Sequence, residues 1–208
     1  VIYLIDYRTN SNPLLPFPAV RITNGASLWC PLTVATPHPL YTVGNFNTNR
    51  QPASLACDAI TVLSQNWEDT RSEGALSVRD AQDTTVNAAV ITGIVPTGIY
   101  EGEQRSSGWV ANVFRLLEDW SDNQYPPRWN LYFNGSIAVL FASQQATAPW
   151  YSGWNGYYNA PNRYLSYDTG FLTQEGLPPG CPTVSAVIRS RYEVVPPGLV
   201  GLDIVQAP

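Results

Sequence analysis

Fifteen glycines and 18 prolines are scattered along the whole of this 208-residue chain. The apolar runs between them are short. Such punctuation leaves little room for long helices and favours many short strands. The runs best suited to a pleated, half-buried surface are Ala19–Thr23, Leu32–Ala35, Leu40–Val43, Ala59–Leu63, Thr85–Thr92, Ser136–Phe141 and Thr183–Ile188, all rich in Val, Ile, Leu and Thr. Several, such as AVITG and IAVLF, are continuously apolar rather than alternating, which marks strands covered on both faces or lining a narrow interior.

Asparagine recurs beside glycine or another small residue near these runs: Asn24-Gly25, Gly44-Asn45, Asn87-Ala88 and Asn134-Gly135. Asparagine tolerates the left-handed conformation, and its amide can bond a turn or stack on an equivalent amide one layer away. Short apolar strands between asparagine-bearing turns are what a coiled parallel structure requires. The expected fold is therefore all-β, a right-handed parallel β-helix (β-solenoid) in a single domain over 1–208, with a β-sandwich as the alternative. One segment departs from the pattern. In GWVANVFRLLEDWSDN, Val110, Val113, Phe114, Leu117 and Trp120 recur at three- and four-residue steps, which predicts one short packed α-helix over about 109–120. Around it, residues 96–130 read as an excursion from the sheet, and 193–208 as a C-terminal tail.

Charge narrows the partners. The net charge is −5, all 11 basic residues are arginine, and no basic cluster occurs, so a nucleic-acid partner is not expected. No apolar run is long enough to span a bilayer, and no direct membrane insertion by this segment is expected. The opening Val1-Ile2-Tyr3-Leu4-Ile5 meets Asp6 and Arg8 too soon for the apolar core of a signal peptide, and the missing initiator methionine reads as a mature or excised piece. Cys30, Cys57 and Cys181 have no metal-ligand spacing; one bridge with one free thiol and three buried thiols are both open readings.

Catalytic signatures are missing. There is no phosphate-binding glycine loop, no GxSxG elbow and no DxDxDG calcium loop, and no cofactor or metal is expected. The lone His38, in Thr36-Pro37-His38-Pro39, reads as a rigid surface corner, because each proline fixes its own backbone angle and biases its predecessor. Paired acids at Glu68-Asp69, Asp80/Asp83, Glu101/Glu103 and Glu118-Asp119 read as solvated charge rather than a glycosidase pair. The densest aromatic stretch, PWYSGWNGYYNAPNRYLSYDTGF, carries Trp150, Tyr151, Trp154, Tyr157 and Tyr158 among amides and glycines. Rings with amide neighbours stack on sugars or form protein contacts, so these five are the candidate ligand-binding residues; the other reading is that they anchor a long loop.

Taken in order, AVRITNGASL, LTVATPHPLYTVGNFNT, ASLACDAITVLSQNW, TTVNAAVITG, VFRLLEDW, FNGSIAVLFASQQATAPW, YYNAPNRYLSYDTGFL and LPPGCPTV resemble a domain of bacterial pilus-assembly-associated, type IV pilin-like surface proteins, over about residues 19–185. The resemblance implies a β-helix with a short packed helix, carried behind a pilin-like or anchoring segment and displayed outside the cell. It supplies no catalytic residues. The function expected is a non-enzymatic extracellular structural or adhesive domain that contacts other copies of itself, surface subunits or a glycan, possessing the capacity to form filaments. A carbohydrate-binding or polysaccharide-degrading β-helix is the alternative. In such a coil Cys30 and Cys57, each just before a strand, would stack on neighbouring turns, and an oxidising exterior would let them form a disulfide.

Overall fold

A computed structural model of the chain describes residues 1–8, 18–100, 102–105, 112–153 and 156–182. The described strands are β1 (Ile2–Tyr3), β2 (Val20–Ile22), β3 (Leu32–Ala35), β4 (Leu40–Val43), β5 (Ala53–Cys57) and β6 (Ile60–Leu63). They continue with β7 (Thr84–Ile94), β8 (Gly98–Tyr100), β9 (Glu103–Arg105), β10 (Phe114–Arg115), β11 (Asn130–Ala142) and β12 (Asn162–Tyr167). No α-helix occurs among the described residues, where the only helical pieces are single 3-10 turns. The predicted strand Thr183–Ile188 and the tail 193–208 lie outside the described residues.

The protein is all-β, and its two large sheets are wholly parallel. A six-stranded sheet runs β1-β3-β5-β7-β11-β12 and a four-stranded one runs β10-β6-β4-β2. Each pairing within them is parallel; the antiparallel pairing of β8 with β9 stands apart. The antiparallel layers of a β-sandwich are therefore not what this chain builds. From β2 to β7 consecutive strands alternate between the two sheets, so each strand pairs with the one two places along.

That alternation explains the continuously apolar runs. Val34, Leu55, Val90 and Ile137 lie side by side in register on the six-stranded sheet. Leu40, Ile60 and Phe114 do the same on the four-stranded one. With Val62, Val86, Leu131, Phe133 and Trp120 they form one hydrophobic cluster. The rings of Phe114 and Phe133, from different sheets, meet at 4.9 Å between centroids. All four residues of β6 are buried, including Thr61, so this strand has no solvent face and cannot alternate.

The amphipathic helix expected at 109–120 is not formed over its described part, 112–120. Phe114 and Arg115 instead pair with Ile60 and Thr61 in β6. Further on, the Asp119 N–H donates to the Arg79 carbonyl and the Asp119 carbonyl accepts from the Ala81 N–H. The Glu118 carbonyl likewise accepts from the Asn159 N–H. These groups are thereby taken by distant chain and are lost to an i to i+4 ladder. Nor is there a polar face: Arg115, Glu118 and Asp119 are all buried along with Leu116 and Trp120. The three- and four-residue spacing coincided with a segment buried on every side.

Asparagines do hold the corners, though not always as expected. Asn24 and Asn47 adopt left-handed angles (φ 57° for each), as the corner reading requires. The Asn45 carboxamide oxygen accepts the Thr85 N–H at 2.8 Å, tying the corner after β4 to the start of β7. Asn87 and Asn134, by contrast, sit inside β7 and β11, in register with each other rather than at bends.

Candidate functional site

The outer face of the six-stranded sheet carries a groove. Alternate residues of a strand share a face, so the register places Thr85, Tyr132 and Tyr164 in one transverse row and Asn87, Asn134 and Ser166 in the next. Together they floor a groove of about 500 Å³, with Thr48 and Arg50 on its rim. The rings of Tyr132 and Tyr164 stack at 5.0 Å with planes 16° apart, and both remain exposed. The Asn134 amide nitrogen donates to the Ser166 hydroxyl at 2.8 Å, while its oxygen is buried without a hydrogen-bond partner.

The rim is built by a folded-back turn. Asn47 accepts the Gln51 N–H on its side-chain oxygen and donates its amide to the Gln51 and Asn87 carbonyls. The turn sets Arg50 in a left-handed conformation (φ 54°), uncommon for a residue with a long side chain. Its guanidinium forms no ion pair or hydrogen bond among the described residues. Among the described residues no carboxylate lines the groove, although acids outnumber arginines by 16 to 11 in the chain.

The aromatic stretch behaves differently. Trp150 stacks on Tyr157 at 4.4 Å and 11°, and Tyr151 meets the same Tyr157 edge-on at 5.3 Å. The Arg115 guanidinium stands 5.2 Å from the Trp150 ring centre. Tyr158 is fully buried, its hydroxyl bonded to Asn112 and reached by Arg163. Trp150, Tyr151 and Tyr157 are thus packed on one another, as a loop anchor would be, while Tyr158 joins the hydrophobic core; Trp154 lies outside the described residues.

The proposed bridge between Cys30 and Cys57 is not formed. All three cysteines are free, with Cys30 exposed and Cys57 buried. The premise fails in the topology. The strands that follow these cysteines, β3 and β6, belong to different sheets. Cys57 closes β5, four residues beyond the Ala53 that pairs with Leu32. Cys30 precedes Leu32, so the length of the ladder alone separates the thiols by roughly 13 Å, beyond disulfide reach. Burial pushes the Cys57 thiol up to about 12, which leaves it inert.

His38 is buried rather than at the surface, and both its ring nitrogens are used. Nε2 accepts the Asp6 N–H at 2.8 Å, which places the ring proton on Nδ1, and Nδ1 donates to the Gln145 side-chain oxygen at 3.0 Å. It clamps the N-terminal strand to the corner and carries no nucleophile. Beside it, the buried Asp58 carboxylate accepts three successive backbone N–H groups, from Gln144, Gln145 and Ala146. Glu118 was read in sequence as solvated charge and is in fact fully buried. Its carboxylate accepts both the N–H and the hydroxyl of Ser64, and burial pushes its pKa up to about 7 despite these bonds and the nearby Arg79. Only its setting among Leu116 and Trp120, two buried neighbours, hinted at this. Among the described residues no group of His, Cys, Asp and Glu is arranged to hold a metal.

No family model, curated protein or solved structure matches this chain.

Proposed function

We propose that this chain is a short right-handed β-solenoid serving as a non-enzymatic structural and adhesive domain of a pilus-like assembly at the cell surface, where it contacts further copies of itself. The observation that carries this reading is the alternation of strands between two in-register parallel sheets, ending in an edge that is open among the described residues. Returning to the same sheet in parallel favours the right-handed crossover. The sheet order ends at β12, which has no partner on its outer side among the described residues. Leu165 (51%) and Tyr167 (53%) of that strand are exposed although they share rows with the core-facing Phe133 and Gly135. An exposed apolar edge of this kind is a template for strand addition unless it is covered. The buried and paired roles of His38, Asp58 and Glu118 favour a scaffold over an enzyme, and the resemblance of residues 19–185 to pilus-associated surface domains agrees with display outside the cell.

The test is electron microscopy and light scattering of the purified chain over a range of concentrations. Concentration-dependent oligomers or filaments that Tyr167→Lys abolishes support the reading. A monomer at every concentration, with both versions alike, refutes self-association.

A further inference from the structure

We propose that the groove on the outer face of β7, β11 and β12 is a binding site for an acidic saccharide. The inference rests on reading the domain as an adhesive surface module, and it names the chemistry that such a surface would hold.

Three features point to this ligand. The first is charge. Among the described residues Arg50 is the one cation lining the groove, its guanidinium is unpaired, and no acid lines the groove to compete for it. In a chain of net charge −5, this local excess of positive charge selects an anion, and a guanidinium matches a carboxylate with two parallel hydrogen bonds. The second is the floor. Tyr132 and Tyr164 are stacked, and β12 ends the sheet, so the side of the Tyr164 ring turned away from Tyr132 meets no further rung among the described residues. A flat apolar ring bordered by polar groups suits the mixed apolar and hydroxyl surface of a sugar. The third is the unpaired acceptor. The Asn134 oxygen is closed off without a partner, and rotation of its carboxamide towards the groove that Asn134 lines would let a ligand hydroxyl reach it and remove that cost.

An acidic peptide is the competing ligand, and the geometry disfavours it. Peptides gain much of their affinity from main-chain pairing with a free strand edge. The groove lies instead on a sheet face, centred on β11, which is paired on both sides; the β12 edge that borders it is the one probed separately by Tyr167→Lys. What the face offers is hydroxyls, amides, two rings and one guanidinium. In size, about 500 Å³ falls within the usual range of small-ligand sites.

The experiment is an NMR titration of the dilute ¹⁵N-labelled chain with short oligogalacturonate, sialyllactose, neutral maltotriose and a triglutamate peptide. At least one acidic sugar is expected to shift amides of β11 and β12, and to bind roughly tenfold more weakly to Arg50→Asn, since one charged hydrogen-bonded contact is lost. Asparagine tolerates the left-handed angle at position 50, so that variant keeps the turn. Tyr164→Ala should weaken the same sugar, added salt should weaken it further, and Tyr157→Ala should leave it unchanged. Failure of both acidic sugars to shift the groove overturns the inference. So does equal binding of maltotriose, tighter binding of triglutamate, or indifference to both groove variants. Sugar binding is read on the dilute monomer, and Tyr167→Lys should retain it while losing assembly. The two proposals therefore fail separately.

Discussion

The side-chain amides of Asn47 and Asn87 each donate to the other's backbone carbonyl, both at 2.9 Å. Asn47 lies in a corner and Asn87 within β7, and the pair locks the turn bearing Arg50 onto the sheet. Both residues are buried. Replacing either by alanine removes one hydrogen bond to a buried carbonyl, at about 1 kcal/mol, and the Asn47 carbonyl keeps the Arg50 N–H. Asn47 also holds a left-handed angle (φ 57°), so Asn47→Ala should cost about 1 kcal/mol more than Asn47→Gly. Denaturant unfolding of the single and double variants measures this, and the double variant should cost less than the two singles added together.

Glu118 makes stability depend on pH in an unusual direction. Burial raises its folded pKa from 4.5 to about 7, so the folded state favours the protonated acid. Its contribution is fully present below about pH 4.5 and is lost as pH rises through about 7. The loss across that window is on the order of 3 kcal/mol. Glu118→Gln removes the titration and should flatten the stability profile between pH 5 and 8 by about that amount. Urea melts at several pH values, wild type against variant, decide it. A profile unchanged by the substitution would show that Glu118 does not titrate in this range.

Asp58 fastens the chain where it leaves β11. Its carboxylate accepts the N–H groups of Gln144, Gln145 and Ala146, and its own carbonyl accepts the Ser143 hydroxyl and the Gly93 N–H. Asp58→Ala strands three donors at once and should destabilise the protein by more than 3 kcal/mol, about 1 or more for each. Hydrogen exchange should locate the damage: faster exchange at 144–146, with β3 and β4 less affected.

Close stacking of β7 on β11 leaves Gly135 no room for a methyl group. A Cβ at Gly135 would stand 1.9 Å from the Ala88 carbonyl oxygen, its ladder neighbour, whereas one at Gly102 meets nothing within 4 Å. Gly135→Ala must therefore push two strands apart and should cost about 3 kcal/mol or prevent folding. Gly102→Ala bears only the strain of its positive φ, about 1 kcal/mol. Thermal unfolding of the two variants side by side makes the comparison.

How much of this was legible in the sequence depended on how far local composition reflects burial. LTVA and LYTV are β-branched and bounded by proline and glycine, and they form β3 and β4 at the expected limits. ASLAC was passed over because alanine and serine have weak strand preference, yet it forms β5 at the centre of a sheet, where buried small side chains suffice. NRYLSY was absorbed into an aromatic stretch, and its role as the edge strand β12 follows only from pairing with β11. The helix expected at 109–120 failed because spacing cannot tell a segment with one buried face from one buried all round. His38 and Glu118 were misjudged for the same reason: partners 32 and 54 residues away decide their burial. The Tyr132–Tyr164 row needs the β11–β12 register, which no local pattern encodes.

The proposed coil is tested most directly by the network of nuclear Overhauser contacts in the isotopically labelled protein. Parallel rungs predict methyl contacts running Val34 to Leu55 to Val90 to Ile137, with amide-to-Hα contacts between strands and few strong Hα–Hα pairs in the two large sheets. Strong Hα–Hα contacts joining consecutive strands, with β3 beside β4 and β5 beside β6, would contradict it.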